Sequence, residues 1–169
     1  MRVTRALLVS GWVAFSGSTA MAEDMPACAS FAWSVARERT AFAAPDLPAA
    51  TSGSALPGGI GAAQLALKPI AEVTLLFPSE KGKKPGTFAG SVTATVPTAG
   101  TYQVTLSEDA WIDVSQDGRS TSKPAAHSGK TGCPDVRKSL RFVLDAGPVT
   151  FEVSRAPAPQ IKVGLFKVE

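Results

Sequence analysis

The residues with the greatest chemical potential fall in one stretch, Gly100 to Cys133, which reads GTYQVTLSEDAWIDVSQDGRSTSKPAAHSGKTGC. It carries the chain's one histidine, His127, with Glu108, Asp109, Asp113, Asp117 and Asp135 nearby in sequence. An imidazole beside carboxylates could serve as an acid–base pair or as part of a metal site, because it exchanges protons near neutral pH and coordinates metals through nitrogen. One imidazole supplies only one of the three convergent groups that metal or triad chemistry needs. Ser128 or Ser139 could complete a serine–histidine–aspartate set, yet no G-x-S-x-G elbow marks a nucleophile. Asp113-x-x-x-Asp117-Gly118 has the start of a calcium loop but lacks its further oxygen ligands and closing glutamate. The simpler reading has no catalytic residue, metal ligand or cofactor. It makes Trp111, Asp113 and His127 candidate ligand-binding residues, with Trp111 either a platform for a sugar or aromatic ligand or a packing residue.

The elements that must position these residues follow from hydropathy. Arg2 and Arg5 precede an apolar run from Ala6 to Phe15, and small residues end at Ala20-Met21-Ala22. This is the layout of a secretory signal peptide over residues 1–22, too short and too interrupted for a membrane span. The expected mature chain begins at Glu23 and has no later transmembrane segment. Arg2 and Arg5 supply two of the three formal positive charges, so the basic balance does not point to nucleic acid.

Cys28 and Cys133 are the only cysteines, and an even pair in an oxidising compartment becomes a disulfide. The bond would close a loop of roughly 100 residues, for which chain entropy gives about 4.7 kcal/mol less strain. Two free thiols, or half of a zinc site without its remaining ligands, are the alternatives.

Phe31, Val35 and Phe42 are spaced as a helix over Ser30–Phe42, with Arg37, Glu38 and Arg39 toward solvent. Prolines and glycines from Ala43 to Gly61 exclude a helix or a central strand there. From Gln64 the period becomes two. The patterns around Leu65, Val73–Phe77, Phe88–Val96, Tyr102–Leu106, Trp111–Ser115, Val136–Leu144, Val149–Val153 and Ile161–Leu165 predict seven to nine short strands. Asp117-Gly118 suits a hairpin turn, and residues 120–134 form a polar loop. Arg137, Lys138 and Arg141 suit a solvated sheet surface or an anionic partner, and Lys81, Lys83 and Lys84 suit a solvated loop. The expected fold is all-β: an antiparallel, jelly-roll-like β-sandwich over residues 63–169, preceded by a short helix and a Pro/Gly-rich linker over 23–62.

The succession GTYQVTL, WIDVSQDG and AGPVTFEVS resembles bacterial pre-peptidase C-terminal (PPC) domains, which implies a compact β-sandwich over roughly Gln64 to Val168. CASFAWSVARER and AHSGKTGCPDVRKSLRF are similar to segments of a group of small proteobacterial periplasmic proteins. Some of that group bear a homogentisate 1,2-dioxygenase label. A mononuclear iron site of that kind takes two histidines and a carboxylate, and this chain has only His127. The functional expectation is therefore a secreted, periplasmic, non-catalytic module that binds an envelope protein, another envelope component or a small ligand. The alternative is a small metal- or acid–base-dependent enzyme centred on His127.

Overall fold

A computed structural model describes residues 26–168; the expected signal peptide and its cleavage site lie outside the described residues. Two helical turns, α1 (Pro26–Ala29) and α2 (Ala36–Phe42), precede eleven strands. These are β1 (Ala49–Thr51), β2 (Ser54–Ala55), β3 (Gly61–Ala66), β4 (Lys68–Pro69), β5 (Phe88–Val96), β6 (Gly100–Leu106), β7 (Trp111–Ser115), β8 (Ala126–Gly129), β9 (Lys138–Leu144), β10 (Gly147–Ala156) and β11 (Gln160–Lys167). Seven of them have five or more residues, and these match the alternating stretches of the sequence.

The strands form two sheets, one ordered β1-β3-β11-β6-β9-β8 and the other β2-β5-β10-β7, with β4 also pairing β5. The fold is all-β and sandwich-like. Most ladders are antiparallel, but β1 pairs β3 and β2 pairs β5 in parallel. Both parallel strands come from the Pro/Gly-rich segment, which contributes only edge pieces and so never needs an unbroken run of donors.

Alternation places one row of each long strand in the core. Tyr102, Val104 and Leu106 of β6, Leu140, Phe142 and Leu144 of β9, and Val163 and Leu165 of β11 meet Val92, Val114, Phe151 and Val153 of the other sheet. A second cluster lies on the outer face of the six-stranded sheet. It joins Phe31, Val35 and Phe42 to Cys28, Cys133 and Val136, and the Cys28–Cys133 disulfide pins it. Val136, expected to continue the apolar row of β9, belongs to this second cluster. Asp135 takes a left-handed φ of 62°, and the chain enters the ladder only at Lys138.

The expected Ser30–Phe42 helix is shorter and broken. Two donors within residues 30–35 go to the sheet instead: the Ala32 amide donates to Ser128 Oγ (3.1 Å) and the Trp33 indole to Ser139 Oγ (3.0 Å). The helix can start only at Ala36. Glu38, placed at the solvent by the pattern, is buried and accepts from the Arg37 guanidinium at 3.2 Å.

Val73–Phe77 is not a strand. Its alternation of burial is real, since Phe77 is buried and Leu76 exposed, but no strand pairs with it in a ladder. The amides of Leu76 and Phe77 donate instead to the carboxylate of Glu152 on β10, at 2.6 and 3.2 Å. Residues 73–86 thereby form a strap across the outer face of the second sheet.

Candidate functional site

β7 and β8 are the last strands of their respective sheets, and residues 116–125 cross from one to the other. Between these two edges lies a cleft of about 450 Å³, lined by Trp111, Ile112 and Asp113 of β7, Thr121 to Pro124 of the crossover, His127 of β8, Lys138 and Leu140 of β9, and Glu80 of the strap. The three expected binding residues thus border one space. The crossover is tied down at both ends, by Ser122 N–H to the Val114 carbonyl (2.7 Å) and Ala125 N–H to the Arg141 carbonyl (2.8 Å).

His127 is not in a loop, as its polar surroundings suggested; it stands on edge strand β8, opposite Leu140. Alternation therefore gives it the inward-facing side of the sheet, where the missing neighbour strand leaves it exposed. The same alternation separates it from both candidate nucleophiles. Ser128 pairs with Ser139 on the opposite face, where Ser128 accepts from Ala32 and Ser139 accepts from Trp33 and bonds Thr105 Oγ1 at 3.1 Å. These hydroxyls hold the N-terminal segment onto the sheet.

The carboxylates near His127 in sequence have separate tasks. Asp109 pairs with Arg137 and Lys138 at 3.5 and 3.4 Å, and Asp135 pairs with Lys162 at 2.6 Å. Asp117 accepts from the Ser115 and Ser120 hydroxyls and the Arg119 and Ser120 amides. The Ser120 hydroxyl, followed by these amides, holds its carboxyl far below the usual range. Both oxygens are occupied by donors, so Asp117-Gly118 makes a side-chain-capped turn rather than a calcium loop. Nor does it close a hairpin: β7 pairs β10, while β8 lies in the other sheet.

Asp113 alone of these acids borders the cleft. It is buried, and its Oδ1 accepts the Trp111 indole N–H at 3.0 Å, which fixes the ring. Burial pushes its carboxyl up. The indole bond and the nearby Ser79 hydroxyl, whose geometry falls short of a full hydrogen bond, oppose that, and the charge of Glu80 adds to it. Across the ladder stands Glu152, also raised, first by burial and then by the charge of Asp113, against the pull of the two strap amides.

Trp111 is half-buried, with Lys81 of the strap 5.4 Å from its ring centre. Among the described residues, no group of three or more His, Cys, Asp and Glu side chains is placed to hold a metal ion. Sequence reasoning missed the strap and its two contributions here, Glu80 and Lys81. Their only signal was the lysine-rich run in a Pro/Gly-bounded loop. Comparison with protein-family models, with characterised proteins and with solved structures finds no match.

Proposed function

We propose that this chain is a secreted binding module of the bacterial envelope, and that the cleft between the β7 and β8 edges is its recognition surface. The observation that carries the reading is the convergence of Trp111, Asp113 and His127 on one open cleft. Such a space, apolar at Ile112 and Leu140 and polar at its rim, suits a small ligand or an extended segment of a partner. Trp111 is a fixed aromatic wall, since Asp113 holds its indole nitrogen. His127 and Lys123 are exposed donors on the opposite side. The disulfide fits an oxidising compartment, and no helix of the described residues is long and apolar enough to cross a membrane. The resemblance to PPC-like sandwiches of periplasmic proteins points the same way.

The enzyme reading centred on His127 has less support, because β-strand alternation turns both nearby serines to the other face and four donors saturate Asp117. The test is a nuclear magnetic resonance titration of the mature chain with peptidoglycan fragments and short saccharides. The Trp111 indole and His127 ring signals should shift together and saturably, and Trp111→Ala should abolish the effect. Conversion of any probe in a His127-dependent manner would overturn the reading.

A further inference from the structure

A second depression of about 380 Å³ shares Trp111 and Lys138 with the cleft and is otherwise lined by Lys81, Lys84, Asp109, Ala110 and Arg155. Four of its side chains are cationic and one is acidic. The acid, Asp109, is shared with Arg137 as well as Lys138, so its charge is already divided between two cations. The lysines come from the strap and from β9, and the arginine from β10. The strap lysines lie more than 50 positions from Lys138 and from Arg155 in sequence, and only the folding of the strap over the sheet brings the two pairs together.

Arg155 is the decisive residue. In β10, Val149, Phe151 and Val153 point into the core, so continued alternation would send Arg155 there too. Instead the ladder to β5 slips between Val153 and Ala156, and Arg155 adopts a left-handed φ of 58°. Ala156 takes the core position, fully buried, and Arg155 is turned out toward the strap, where its guanidinium donates to the Lys81 carbonyl at 3.0 Å. Glycine or asparagine takes a left-handed bulge position with less strain than arginine. Bulges of this kind re-aim a side chain, and a strained non-glycine residue at one is a pointer to function.

We infer that this depression binds a phosphate group. Arginine offers a planar fork and lysine a point charge to phosphate oxygens, and four clustered cations with one shared carboxylate among them attract an anion. The site does not depend on the cleft having an occupant. The shared walls Trp111 and Lys138 allow a ligand whose phosphate lies here to extend its body into the cleft, and the phosphate could belong to a soluble metabolite or a lipid headgroup.

The experiment is an amide and indole resonance titration of the disulfide-bonded mature chain with inorganic phosphate at constant ionic strength. Saturable shifts are expected at Lys84, Arg155 and the Trp111 indole at millimolar phosphate, with His127 unmoved. Arg155→Gly relieves the backbone strain and should melt no earlier than the parent by more than the loss of one exposed hydrogen bond allows, while weakening phosphate binding about tenfold. Lys84→Gln, whose side chain is exposed, should weaken it in the same direction without touching the bulge. Shifts that never saturate, or an Arg155→Gly chain that binds as the parent does, overturn the inference. With phosphate binding in hand, co-sedimentation with phosphatidylglycerol vesicles, lost in Arg155→Gly, assigns the phosphate to a lipid headgroup, and its absence assigns it to a soluble ligand. Vesicle binding without saturable phosphate binding overturns the pocket in favour of diffuse attraction. A failure here leaves the cleft reading standing, since that is read at His127 with probes that carry no phosphate.

Discussion

Asp113 and Glu152 stand opposite each other on β7 and β10, two buried carboxyls in direct cross-strand register on the face that the strap covers. Like charges placed opposite one another destabilise a sheet, and burial adds to the cost of ionising either. Both carboxyls are accordingly raised in the folded chain. A carboxyl raised on folding binds its proton more tightly when folded. Its favourable contribution is therefore complete at low pH and fades as pH climbs from the ordinary unfolded value, about 4, through the raised folded one.

Asp113→Asn keeps an acceptor for the Trp111 indole and removes the charge. It should stabilise the chain at pH 8, where the parent's buried carboxyl must ionise, and that advantage should fade toward pH 4. Urea unfolding of parent and variant at the two pH values checks this. An advantage that grows on acidification would contradict the buried-acid account. Asp117 acts with the opposite sign, its contribution being lost as pH falls below the ordinary aspartate range, so the difference between parent and variant, and not the parent's own profile, is the quantity to read.

The disulfide separates Cys28 from Cys133 by 105 positions and fastens the N-terminal segment over the outer sheet face. Replacing both cysteines with serine should cost about 2–5 kcal/mol. Hydrogen exchange should show α2 released first, with the main core still protected. Simultaneous loss of both would mean that the N-terminal segment and the sandwich fold as one indivisible unit.

Gly164 on β11 lies beneath the ring of Phe42. A methyl group there would come within 3.2 Å of Phe42 Cε1 and 2.8 Å of Phe166 Cε2. Phe166 is only partly buried and can move, whereas Phe42 is fixed in the second cluster. Gly164→Ala should therefore destabilise by about 1–3 kcal/mol through overpacking. Pairing it with Phe42→Leu should recover part of that loss in a double-mutant cycle; strictly additive effects would show that the contact is not the cause.

His127→Ala should leave the unfolding free energy within about half a kcal/mol of the parent, as expected for an exposed edge-strand side chain. Elemental analysis should find no stoichiometric transition metal in either protein. One tightly held metal per chain, lost in the variant, would make His127 the centre of an active site.

The local pattern carried much of this fold. Period-two alternation in Tyr102–Leu106, Trp111–Ser115 and Ile161–Leu165 specifies strands with one buried row wherever they are placed, and two cysteines in an oxidising compartment have only each other to bond. Trp111, Asp113 and His127 were legible as a group because residue type and proximity along the chain sufficed to single them out. What the sequence could not convey is which strand ends a sheet. His127 became an exposed edge residue, and Ser128 its neighbour on the far face, only when β8 paired with β9 and found no partner beyond it. The strap was illegible for a related reason: Val73–Phe77 alternates as a strand does, but its amide partners are the carboxylate of Glu152, 75 and 76 positions away. Arg155 likewise occupies what alternation marks as a core position, and only the register slip against β5 turned it outward to join Lys81, Lys84 and Lys138. Local sequence determines what each segment can bury; which charges then meet is decided by long-range pairing, whose energetics depend on neighbours the chain acquires only on folding.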